Sequence, residues 1–89
     1  MNYQDHVLRA VEERLVLLSE DLRSLGITVH RVALAEEAPS VLVIELSRGG
    51  VTWQEEYDIS GTGLLEDWDG NPMKPVDAAS MVYCNLIDV

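Results

Sequence analysis

The sequence predicts an α+β fold, a two-layer sandwich in the order α-β-β-β-α with a three-stranded antiparallel sheet and both helices on one face. Three observations carry this expectation. Apolar residues recur at helical spacing between Asn2 and Leu25. Three runs between Ile27 and Ile59 read as strands, separated by a proline-containing turn and a glycine pair. A final stretch from Pro75 to Ile87 is apolar around most of a helix's circumference. A chain of 89 residues holds one such domain, residues 1–89, and no second core.

The elements follow in order. Val7, Val11, Leu15, Leu18, Leu22 and Leu25 are spaced by four and three, which places them on one helical stripe. Asn2 is suited to cap that helix, and Gly26 to stop it in the left-handed conformation, with Ile27 folding back on the last turn. Ile27 to Ala35 is rich in β-branched residues and ends at Glu36-Glu37-Ala38-Pro39-Ser40, where Pro39 breaks pairing. Val41 to Arg48 is an apolar strand. Gly49-Gly50 then forms a two-residue hairpin, because both positions of a primed turn need positive φ.

Val51 to Ile59 returns with alternation. Val51, Trp53, Tyr57 and Ile59 share one face, while Thr52, Gln54, Glu56 and Asp58 share the other. Glu55 is the exception, since it points with the apolar set. Ser60 to Lys74 makes a long irregular connection. Pro75 suits the first turn of the closing helix, where its missing N–H costs nothing. Leu8, Val16 and Leu17 fall outside the main stripe of the first helix, and the last helix is almost uncharged. One small sheet cannot cover that much apolar surface, so a homodimer is expected.

Charge narrows the partners. Sixteen acidic residues stand against six basic ones, a formal net of −10. Each phosphate contact needs a Lys or Arg, so direct nucleic-acid binding is excluded, as is an anionic membrane surface. A basic protein is favoured, because a negative field steers its approach. The imbalance is concentrated. Residues 1–35 carry a net of −1, residues 36–70 a net of −8, and residues 71–89 a net of −1. Solubility alone does not require such clustering, since like charges repel within the fold.

The element order is similar to that of the double-stranded-RNA-binding domain, a topological resemblance only. That family's basic segment at the start of its last helix faces phosphates. This chain offers Lys74 alone there, beside Asp69 and Asp77, so the resemblance brings no RNA binding with it.

Chemical motifs are weak. Ser60-Gly61-Thr62-Gly63 follows a strand, yet Glu66 stands where a dinucleotide fingerprint needs its third glycine, and no Lys follows Gly63. It reads as a turn. Asp67-Trp68-Asp69-Gly70-Asn71 is oxygen-rich. Aligning Gly70 with the sixth position of a calcium loop puts Leu65 and Val76 where oxygen ligands belong. His6, His30 and Cys84 lie on three different elements with no local motif, and a lone Cys in an apolar helix reads as a small inert hydrophobe. Glu45 and Glu55 offer paired carboxylates only by the chance proximity that a −10 chain brings.

The chain therefore reads as non-catalytic, with no cofactor and no metal. One cysteine permits no intrachain disulfide, and Met1-Asn2-Tyr3-Gln4-Asp5-His6 lacks the features of a signal peptide, so a cytoplasmic protein is expected. Trp53 is expected in the core; Trp68 sits among acids, where it either folds back to cover the open end of the sandwich or serves as a hot-spot anchor with a charged rim. The expected function is binding of a basic protein through an acidic sheet face and its neighbouring loops, as small inhibitors, immunity proteins and phage-encoded antagonists of host defence do; a nucleic-acid-binding protein is one natural partner, carboxylates standing in for phosphates. Glu55, Glu56, Asp58, Glu66, Asp67, Trp68 and Asp69 are its expected contact residues. Two alternatives stand beside it. One is an accessory subunit that oligomerises through an apolar helical face including Leu17 and Met81; the other is a small metal-binding domain or enzyme.

Overall fold

A computed structural model describes residues 3–38, 40–59 and 74–88. The helical stripe forms, but as two segments, α1 (Tyr3–Leu17) and α2 (Ser19–Ser24). Leu18 lies between them at φ −102° and ψ 20°, in the sparsely populated bridge region. The hydrogen-bond ladder runs through the bend. Leu18 N–H donates to the Arg14 carbonyl at 3.0 Å, and Leu22 N–H to the Leu18 carbonyl at 3.0 Å. The bend corrects the expectation of one unbroken helix. Its effect is that Leu15 and Leu22 stay buried while Leu18 is half-buried and Leu25 is 43 % exposed. Gly26 then stops α2 at φ 78°, its N–H donating to the Arg23 carbonyl at 2.9 Å. Ile27 turns straight back into the core at 3 % exposure.

Strands β1 (Ile27–Leu34), β2 (Val41–Arg48) and β3 (Val51–Asp58) follow, and α3 (Pro75–Ile87) closes the order α-β-β-β-α. The sheet is antiparallel in the order β1-β2-β3. Gly49 and Gly50 join β2 to β3 at φ 60° and 84°, the two positive values that a primed hairpin turn requires. Pro75 occupies the first turn of α3, as its missing donor permits.

Register decides which side chains meet the helices. Leu42, Ile44 and Leu46 of the central strand are fully buried. Their β3 partners are Tyr57, Glu55 and Trp53, and their β1 partners are Leu34, Val32 and Val29. Val29 and Val32 share a face despite odd spacing because a bulge at His30 shifts the register between Val29 and Arg31. The helices lie on this face. α1 packs against both α3 and β1, and α2 packs against β1. Val7, Val11 and Leu15 of α1 join Ala78, Ala79, Val82 and Leu86 of α3 and the buried strand residues in one core cluster.

α3 is less enclosed than its composition implies. Met81, Tyr83 and Ile87 are half-buried, Val76 is 62 % exposed, and Cys84 is exposed, so that thiol is no core hydrophobe. Among the described residues, no helix is long and apolar enough to cross a membrane.

Candidate functional site

The sheet has a second face, and no described helix packs on it. Alternation and register assign it row by row. Ala33 of β1 sits beside Val43 of β2 and Glu56 of β3, and Arg31 sits beside Glu45 and Gln54. Val41 pairs with Asp58, and Thr28 lies beside Ser47 and Thr52. The central-strand residues Val41, Val43, Glu45 and Ser47 are half-buried by their neighbours, whereas Gln54, Glu56 and Asp58 on the edge strand are exposed. Small apolar side chains thus occupy the middle of one end of the face, with carboxylates along its β3 side. Glu36 and Glu37, exposed in the turn after β1, add two more at the same end.

A depression of about 340 Å3 lies here, lined by Ala33, Val43, Glu36, Glu37, Arg31 and Gln54 among others. Its polar contacts are modest and solvent-facing. Arg31 Nη1 is 3.6 Å from Glu45 Oε1, both side chains substantially exposed. Gln54 Nε2 donates to Glu56 Oε2 at 3.3 Å. His30 Nε2 and Ser47 Oγ are 2.9 Å apart on the same face. Exposed interactions of this kind are worth at most about 1 kcal/mol each. They order the surface without consuming its negative character.

The expected contact residues divide. Glu56 and Asp58 lie on the open face. Glu55 does not: it is the partner of the fully buried Ile44 and therefore belongs to the helix side. This corrects its inclusion in one acidic sheet face, and the period-two geometry of a strand is the reason. Glu55 Oε1 accepts a hydrogen bond from Trp53 Nε1 at 3.1 Å, and its charge acts on Tyr57. Burial first, and the Glu55 carboxylate second, push the Tyr57 hydroxyl up to about 12, while a hydrogen bond with the Asn85 side chain pulls the other way. Trp53 packs against the core, as expected. Glu66, Asp67, Trp68 and Asp69 lie outside the described residues, as do Ser60-Gly61-Thr62-Gly63 and Asn71.

The register also disposes of one catalytic pairing. Glu45 faces out and Glu55 faces the helices, so the two carboxylates are on opposite sides of the sheet. His30 is likewise on the open face, opposite the layer that carries Cys84. Among the described residues no group of three or more His, Cys, Asp or Glu is arranged to hold a metal ion.

Two features were missed in the sequence. The His30 bulge has a signal, because the apolar spacing in β1 changes from two to three between Val29 and Val32. The apolar strip of Ala33, Val41 and Val43 has none without the register, since these residues read as ordinary strand content. No protein-family model, curated protein or solved structure matches the chain.

Proposed function

We propose that this protein is a non-catalytic interaction domain that binds a basic protein through the open sheet face. What supports the reading is one observation: a sheet face bare of described helices, with a small apolar centre of Ala33, Val41 and Val43 and a border of Glu36, Glu37, Glu56 and Asp58. An apolar centre with a charged rim is the usual anatomy of a protein-binding patch. The rim's sign sets the partner's chemistry. Lys and Arg side chains supply both the charge and the apolar stem that such a surface takes. A protein that itself binds nucleic acid carries such side chains in clusters, with the carboxylates here standing where phosphates would.

The test compares immobilised wild-type protein with Glu56→Lys and Val43→Lys. The expected result is capture of basic proteins by the wild type, with retention falling at least about tenfold in Val43→Lys, at the centre of the patch, and several-fold in Glu56→Lys, on its rim. Leu17→Glu, on the helical layer, leaves capture unchanged. Identical captured proteins from wild type and both sheet-face variants would overturn the reading.

A further inference from the structure

A groove of about 450 Å3 runs between the β1 edge and the bend that joins α1 to α2, and reaches the open sheet face only at Thr28, His30 and Arg31. One wall is the continuous stretch Thr28–Val32, and the other includes Leu15, Val16, Leu22 and Arg23. Directly beside it, α1 ends on Val16 and Leu17, which are 75 % and 79 % exposed. A hollow of mixed apolar and charged lining and an apolar projection therefore share one side of the molecule. We infer that this face binds a second copy of the chain about a two-fold axis, with Leu17 of each copy seated in the other's groove and Glu12 facing the other's Arg23.

The choice of a second copy rests on charge and shape together. A two-fold interface must complement itself, so a projection needs its hollow, and each sign its opposite, on the same patch. The groove meets that condition: Glu12 lines it together with Arg23 and Arg31. A basic partner would meet Arg23, and an acidic one would meet Glu12 and Glu13. Two copies of a −10 chain repel elsewhere on the described surface, above all at the other sheet edge, where β3 carries Glu55, Glu56 and Asp58 and no cation. The bulge at His30 interrupts the register of β1 and guards its edge against strand addition, which leaves side-chain insertion as the mode of contact.

Sedimentation velocity on the full chain between about 10 and about 500 μM tests this, the range in which a small interface is populated. The expected result is a wild-type dimer that Leu17→Glu converts to monomer with unchanged circular dichroism and the melting temperature of wild type diluted until it dissociates, since the side chain is exposed and only the stabilisation by association is lost. Val76→Glu adds the same charge at another exposed site, on α3, and leaves the dimer intact. Glu12→Arg and Arg23→Glu each weaken association at least about tenfold, and the double exchange restores it. A monomer at every concentration, a dimer indifferent to Leu17→Glu, loss of the dimer with Val76→Glu, or no recovery in the double exchange would each overturn the inference. Capture of basic partners on the open face is read separately, so failure of either surface leaves the other standing.

Discussion

Tyr57 shows how one buried hydroxyl carries information about the whole edge of the core. It is 6 % exposed, and burial together with the Glu55 charge raises its pKa from 10.0 to about 12. The sign of the linkage follows from proton counting. Below about pH 10 the tyrosine is protonated in both states and contributes no slope. Between about 10 and 12 the unfolded chain has lost this proton and the folded one still holds it, so stability falls as pH rises. The decline ends near pH 12, where the folded state loses this proton as well. Tyr57→Phe is expected to remove that decline while costing about 1 kcal/mol at neutral pH through the lost Asn85 hydrogen bond. Urea denaturation of both proteins from pH 9 to 12 checks it; parallel curves would contradict the assignment. The sequence placed Tyr57 on the apolar face and marked Glu55 as out of place there. Its contact with Trp53 Nε1 could not be read, because a hydrogen bond across two strand positions depends on rotamers.

At the scale of elements, local chemistry was the reliable guide. Gly26, Gly49-Gly50 and Pro75 sit where glycine's positive φ and proline's missing donor place them. The hairpin offers a clean test. A Cβ built at Gly50 meets nothing within 4 Å, so any penalty there comes from the φ of 84° alone. Gly50→Ala is expected to cost about 1–2 kcal/mol, partly offset by lower entropy in the unfolded chain. That corresponds to a melting temperature lower by roughly 4–16 °C in a domain this small. Gly49→Asn keeps a residue tolerant of positive φ in the same turn and is expected to melt within a few degrees of wild type. Equal losses in both variants would mean that something other than φ sets the turn. The bend at Leu18 was not legible, because the i, i+4 stripe runs on past it without proline or glycine. Packing of both α1 and α2 on β1 sets it instead, and that is a tertiary effect.

At the scale of the whole molecule, the net charge of −10 acts on the two proposed surfaces in opposite directions. Attraction between the acidic sheet face and a basic protein is long-ranged at low salt and screened at high salt, where the Debye length drops from about 30 Å at 0.01 M to under 10 Å above 0.1 M. Raising salt across that range is therefore expected to weaken capture of basic partners several-fold, mainly by slowing association. Contact between two copies is different. The Glu12 and Arg23 pairings are few and short-ranged, whereas the repulsion between two bodies of charge −10 spans their whole surfaces. Screening removes more repulsion than attraction, and burial of Val16 and Leu17 is unaffected or slightly strengthened. The dimer is thus expected to tighten over the same buffer series in which partner capture loosens. Sedimentation and capture measured side by side decide the matter. A dimer that weakens with salt in step with capture would mean that ion pairs, not the Leu17 insertion, hold the copies together. Strand order and alternation were legible in the sequence, and so was the concentration of acid between Glu36 and Asp69. Which residues of β1 and β2 stand beside Glu56 and Asp58 was not, because rows across a sheet are a property of register, whereas alternation alone already set Glu55 on the other face.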